Sequence, residues 1–423
     1  MSYQRRIIDD ELDALFPHLA AIALEGPKGV GKTATGLERA RSTLHLDDPV
    51  QQSLLGADPA RLDQLETPVL LDEWQRYPRS WDLVRRSVDA DSTGGRFLLA
   101  GSATPPELPM HSGAGRIVRL KMRPLSLVER NIAEPSVSLA AFLTQGVNAV
   151  GGDSPVRLVD YVDEIVASGM PAIRGLPPQP RAKQLDSYLE RIADVEFAEQ
   201  GVRVNRPASL RAWMMAYAAA TASTASYATI LDAATPGESD KPAKTTALRY
   251  RDVLSRLWIL DPIPGWYPAG NLLTRLAQAP KHHLVDPGFA ARLVGATASS
   301  LLSGQVLRGA KNTDEGFVGA LFESLVAQSV RVYAQRASAT VHHLRTRNGD
   351  HEVDLIVEGE DRRIVAIEVK LAPDISDRDV RHLHWVRSQL GDRVAAAVIV
   401  TTGQYAYRRS DGIFVVPAAL LGP

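Results

Sequence analysis

Short apolar runs, each closed by a polar or glycine-rich break, recur through the first third of the chain at 20–24, 68–71, 96–100 and 117–122. Runs this continuous predict strands buried on both faces, and 42–46 reads as a further short strand ending at Asp47-Asp48-Pro49. The stretches between them, from Thr33 and again up to Glu66, have helix-compatible composition. Strand and helix in alternation predict a parallel sheet whose ligands bind at the carboxyl ends of the strands.

The pattern then changes period. From 155 to about 295 the chain is rich in Ala and Leu, and Leu185, Tyr188, Leu189 and Ile192 recur at helical spacing within 181–199. Further helices are expected at 210–219 and 245–257, followed by a short strand pair opening at Trp258; helices followed by a strand pair suggest a winged helix. Near the end, a helix at 318–333 precedes two apolar strands, 352–357 and 364–371, separated by a polar turn. Alternation at period two puts Glu368 and Lys370 on one face. A hairpin symmetric about Asp361 sets Asp354 opposite Glu368, with Val353, Leu355, Val365, Ile367 and Val369 on the core face.

Composition narrows the classes. A chain of 423 residues is too long for one core, and we expect three domains, at 1–150, 151–298 and 299–423. A formal net charge of −1 gives no global attraction to nucleic acid, so any such contact needs a local basic patch. The absence of cysteine excludes disulfides and thiolate metal sites. The first residues lack the apolar core of a signal peptide, and the Ala-rich stretch 213–234, interrupted by Ser, Thr and Asp232, reads as soluble helices, so a cytoplasmic protein is expected.

The most specific chemistry is Gly26-Pro27-Lys28-Gly29-Val30-Gly31-Lys32-Thr33, directly after the first apolar run. Its glycines let backbone N–H groups turn toward phosphate oxygens, Lys32 reaches the β and γ groups, and the Thr33 hydroxyl can ligate Mg²⁺. About 40 residues later a strand ends in Asp72-Glu73, where Asp72 is expected to hold Mg²⁺ and Glu73 to orient or deprotonate the attacking water. Another strand ends at Ser102, a candidate γ-phosphate sensor. Arg116, just before the strand at 117–122, is either an arginine finger or an ordinary surface arginine. At the far end, Asp354 and Glu368 outline a site for Mg²⁺ or Mn²⁺, with Lys370 stabilising charge; solvated strand faces also carry Glu-x-Lys.

The phosphate loop, Leu71-Asp72-Glu73-Trp74-Gln75, Leu99-Ala100-Gly101-Ser102, Gly115-Arg116 and Arg123-Pro124-Leu125-Ser126-Leu127 with Glu129 together resemble the prokaryotic AAA-type ATPases that carry a DUF4143 carboxy-terminal region. The resemblance spans nearly the whole chain. It implies an AAA-like P-loop ATPase domain, a helical and winged-helix middle domain, and an α/β restriction-endonuclease-like end. The spacing of Asp354 and Glu368-Val369-Lys370 is similar to the PD-(D/E)xK nuclease fold, which implies Glu323 on the preceding helix as a further metal-binding acid.

The leading expectation is an ATPase whose cycle gates a metal-dependent nuclease site acting on nucleic acid, DNA before RNA. Arg249, Arg251 and Arg256, and Arg345, Arg347, Arg378 and Arg381, are the basic residues available to such a partner. The alternatives are a nucleotide-dependent switch with a non-cleaving nuclease-like domain, docking a protein through its winged helix, and a toxin or defence effector. No membrane contact is expected, and an oligomer follows if Arg116 acts in trans. The His pairs at 282/283, 342/343 and 382/384, with no Cys partners, read as ordinary loop and helix residues.

Overall fold

The computed structural model describes every residue except 1–2, 106–112, 145, 205, 236–243, 267–278, 305–315 and 347–348. Arg347 therefore lies outside the described residues. Among the described residues, the early apolar runs form β1 (Ala21–Glu25), β2 (Ser42–His45), β3 (Val69–Asp72), β4 (Phe97–Gly101) and β5 (Ile117–Lys121). They pair in the order β2-β3-β4-β1-β5, every neighbour parallel. Every residue of β1, β3 and β4 is buried, which is why these segments read as unbroken apolar runs. Leu44, Val69, Leu71, Phe97 and Leu99 share a cluster with Trp74 and Trp81, whose rings stand 4.7 Å apart. Each such side chain withdrawn from water stabilises the unit by ~1.5–3 kcal/mol.

The register aligns the ends of the central strands. Glu25 lies opposite Gly101 and Asp72 opposite Ala100, so these termini form one edge. Only glycine fits at 101, because an added Cβ would stand 2.4 Å from the Trp74 indole nitrogen.

The chain divides into two compact units. The first is the chain up to Arg123 with 195–203 and 251–259; the second takes the rest. Residues 124–150 join the second unit for a polar reason. The Arg130 side chain, fully buried, donates to the carbonyls of Leu125 (2.8 Å) and Glu164 (2.7 Å) and to Gln328 Oε1 (3.3 Å). Likewise β6 (Val137–Ser138) pairs with Leu421–Gly422 near the carboxyl terminus.

In the second unit the helices Leu158–Ala167, Pro178–Arg191, Pro207–Ala219, Tyr227–Ala234 and Pro287–Leu293 precede the long helix Gly316–Arg336. The helical stretch expected at 181–199 is helical to Glu199, with a π-turn, Ile192–Glu196, between Pro178–Arg191 and Phe197–Glu199. After the helix Lys244–Arg256 the expected strand pair appears as two isolated antiparallel bridges, Leu260 with Leu284 and Ile263 with Lys281. The strands β7 (Thr340–Arg345), β8 (Glu352–Glu358), β9 (Ile364–Lys370), β10 (Val394–Thr401), β11 (Tyr407–Arg408) and β12 (Phe414–Pro417) form a mixed sheet in the order β11-β12-β10-β9-β8-β7.

The β8–β9 hairpin pairs Leu355 with Ile367 and Glu358 with Ile364, the symmetry about Asp361 expected from the turn. The expected facing is only partly kept. The β7–β8 register shifts between His342, opposite Ile356, and Leu344, opposite Val353, so Asp354 and Leu355 together face His343. This bulge breaks the alternation, and Val353 packs with Ile356, Ala366 and Ile399 against Val380, Leu383 and Val386 of the Arg381–Leu390 region. Among the described residues no helix is long and apolar enough to cross a membrane.

Candidate functional site

The phosphate loop leaves the buried end of β1 and enters the helix Lys32–Leu37 through Gly31, whose φ of 112° lies in the left-handed region open to glycine. Two lysines in the loop behave differently. Lys28 is half exposed and pairs with Glu196 at 3.2 Å, while Lys32 is buried and donates to the carbonyls of Gly26 (2.9 Å) and Pro27 (2.8 Å). Burial pushes the Lys32 ammonium down to about 8, against the opposing pull of Glu73 and Asp72. Arg6, which sequence reasoning missed, braces the loop by donating to the carbonyls of Val30 (3.1 Å) and Arg123 (2.8 Å). No local pattern marks it, because both partners are carbonyls remote in sequence.

Across the edge, Thr33 Oγ1 donates to Asp72 Oδ1 at 2.8 Å. Burial raises the Asp72 carboxyl above its ordinary range, although the Thr33 bond opposes it. Glu73 takes a left-handed backbone conformation, φ 51°, which for a residue other than glycine costs roughly 1–3 kcal/mol. Its Oε2 accepts from Gln75 and, at 3.1 Å, from Ser102 Oγ; Gln75 Nε2 also donates to Ser102 Oγ at 3.0 Å. The ends of β1, β3 and β4 thus bring Lys32, Thr33, Asp72, Glu73 and Ser102 to one place. Gln75 had no assigned role in the sequence, since a glutamine three residues beyond a strand has no distinctive spacing.

Arg116 does not join them. It precedes Ile117, which pairs with Ala21 at the start of β1, so it lies at the opposite edge of the sheet, roughly 16 Å away at ~3.3 Å per residue. There it binds Asp89 Oδ1 (2.8 Å) and the Ala114 carbonyl (3.1 Å). An arginine finger acting within its own chain is excluded by this position.

The carboxy-terminal acids converge on a residue the sequence did not single out. Lys281 Nζ lies 2.8 Å from both Glu323 Oε1 and Asp354 Oδ1 and 3.4 Å from Glu352 Oε1, with its side chain 1% exposed. Asp354 Oδ2 accepts from the Val369 amide at 2.9 Å, and Glu368 Oε1 pairs with Lys370 at 3.3 Å. Burial disfavours the Lys281 charge, but Asp354, Glu323 and Glu352 outweigh it and hold the ammonium well above its usual range. Burial pushes Glu323 up to about 8 and Glu368 well above a usual carboxyl, with Asp354 adding to both. For Asp354 itself burial is outweighed by Lys281, and its carboxyl stays below the ordinary value.

Of the other basic residues, Arg251 pairs with its neighbour Asp252 at 2.7 Å, and Arg345 lies 3.8 Å from Glu352. Among the histidines, His282 contacts Tyr217 and the Ala225 carbonyl, His343 the Ala279 carbonyl, and His384 Asp411, while both ring nitrogens of the buried His283 are without a hydrogen-bond partner among the described residues. Among the described residues no group of three or more His, Asp or Glu is arranged to hold a metal ion.

Three family matches divide the chain. Residues 19–131 match the AAA domain, 158–300 a domain of unknown function, DUF8612, and 318–421 a second, DUF4143. The AAA domain holds Lys32, Thr33, Asp72, Glu73, Ser102 and Arg116. Similar over 99% of this chain and 84% of their own length, at 27% identity, are uncharacterized proteins of Mycobacterium bovis and Mycobacterium tuberculosis. Among solved structures, the Walker-type ATPase PABY2304 of Pyrococcus abyssi aligns at 14% identity and TM-score 0.38, covering 69% of this chain and 96% of that one. The ORC2 protein of Aeropyrum pernix aligns at 14% identity and TM-score 0.28, covering 68% and 90%. The chain carries an AAA-type ATPase domain followed by two domains of unassigned role.

Proposed function

We propose that the AAA domain binds ATP with Mg²⁺ and hydrolyses it, and that the cycle works as a switch on what the rest of the chain binds. The observation that carries the first part is the shared edge at which the Thr33–Asp72 hydrogen bond and the Glu73–Ser102 contact meet the phosphate loop. Lys32 exchanges its bonds to Gly26 and Pro27 for β- and γ-phosphate oxygens. Thr33 and Asp72 are the residues that would hold Mg²⁺, directly and through water. Bound there, the ion supplies charge neutralisation on the triphosphate. Glu73 Oε2 orients the attacking water and takes its proton, fixed for that task by Gln75 and Ser102. Steady-state phosphate release from ATP and Mg²⁺ tests this: wild type turns over, Lys32→Ala does not, and no turnover by folded wild type sinks the proposal.

For the carboxy-terminal region, binding of a partner is favoured over cleavage of nucleic acid by the burial of the acids, Asp354 at 8% and Glu368 at 5% exposure. A scissile phosphate needs its acids open to it. Single- and double-stranded DNA and RNA incubated with Mg²⁺ or Mn²⁺, with and without ATP, should stay intact. Metal-dependent nicking lost in Lys370→Ala would restore the nuclease reading.

A further inference from the structure

We propose that the Lys281 ammonium is the resident cation of the Glu323, Glu352 and Asp354 cluster, standing where a divalent metal would stand, so that these acids take up no Mg²⁺ or Mn²⁺. This deepens the binding reading of the carboxy-terminal region and is separable from it. A lysine ammonium has three donors, and Lys281 faces three acids: Glu323 and Asp354 at 2.8 Å and Glu352 at 3.4 Å. Lysine is almost never fully buried unless paired, and this side chain is 1% exposed.

The residues do not fit a metal. Mg²⁺ at ~2.1 Å from the oxygens that Lys281 engages would press against the ammonium, cation against cation. Of the other oxygens, Asp354 Oδ2 accepts from the Val369 amide and Glu368 Oε1 pairs with Lys370, whereas Glu368 Oε2 is buried without a hydrogen-bond partner among the described residues. The fold builds the contact from remote pieces. Lys281 is fixed by its bridge to Ile263, Glu323 comes from the helix Gly316–Arg336, and Asp354 occupies the bulge of β8 that breaks the strand's alternation. The ammonium therefore fastens the segment at 281, within the DUF8612 match, to the acids of the DUF4143 match. Taking one partner from a buried ion cluster leaves uncompensated charge, so the cluster depends on its lysine.

The test uses the full chain without nucleotide, in a Thr33→Ala background that removes the ion ligand of the phosphate loop. Manganese EPR should find no ion bound to this protein, and its Tm should be the same in EDTA and in Mn²⁺. Lys281→Met should lower the Tm. One bound Mn²⁺ per chain, lost in Asp354→Asn, would overturn the proposal, as would a Lys281→Met protein of unchanged Tm. If Lys281→Met does not fold, Lys281→Arg keeps the charge; it should fold and still bind no Mn²⁺, and the ion titration of the protein with Lys281 intact decides in either case. Since no nucleic acid enters the experiment, a protein that cleaves by another site would defeat the binding reading and leave this result standing.

Discussion

Thr33 and Asp72, 39 residues apart in sequence, share a 2.8 Å hydrogen bond at the carboxyl edge of the first sheet. The hydroxyl and the carboxylate proposed to hold Mg²⁺ are therefore already beside each other. Asp72→Asn should raise the Mg²⁺ concentration needed for half-maximal ATP turnover. Magnesium titrations of ATPase activity at saturating ATP check this, and an unchanged midpoint would remove Asp72 from the ion's surroundings.

Glu73 accepts from both Gln75 and Ser102, which marks it as a group held for one orientation. Glu73→Gln should reduce kcat by about 10²–10⁴-fold while ATP still binds. Ser102→Ala leaves the carboxylate in place with one restraint fewer, so a smaller loss in kcat with little change in KM is expected. Equal losses in kcat and in ATP affinity for both variants would point to a folding defect in the loop.

Lys32 sets a pH dependence. Burial lowers its ammonium to about 8 in the nucleotide-free protein, and phosphate binding requires the charged form. Below 8 the charge is in place. As pH rises through 8 it is lost, and ATP affinity should fall by about tenfold per pH unit above that point. Calorimetric titrations from pH 7 to 9.5 should show the decline together with proton uptake on binding; a flat profile would mean that Lys32 titrates elsewhere.

Arg116 sits at the wrong edge to serve its own chain's site and is paired with Asp89. If it acts, it acts on a neighbouring copy. ATPase activity per chain should then rise with protein concentration, and Arg116→Ala should abolish the rise. Constant specific activity, unaffected by the substitution, would leave Arg116 as an exposed ion pair worth ~0–1 kcal/mol.

Arg130 anchors the second unit from within, its side chain fully buried against Glu164, Leu125 and Gln328. Arg130→Met leaves the carbonyls of Leu125 and Glu164 without this donor and removes one of the two arginines paired with the Glu164 carboxylate. A loss of about 3–5 kcal/mol in that unit's unfolding is expected by urea denaturation. A loss below ~1 kcal/mol would show that Glu164 is satisfied by Arg174, its other partner at 2.8 Å.

Local chemistry was legible in the chain itself. The phosphate loop is contiguous, the strand ends at Asp72 and Ser102 follow from unbroken apolar runs, and the turn about Asp361 dictates the β8–β9 pairing, because period and loop symmetry act between near neighbours. Tertiary packing decided the rest. Lys281 meets Asp354 across 73 residues, Arg130 meets Gln328 across 198, and the bulge at Asp354 overrides the alternation that the sequence pattern implies. A buried charge must find its counter-charge wherever the folded chain supplies one, and that choice depends on which surfaces close over it, a property no spacing encodes.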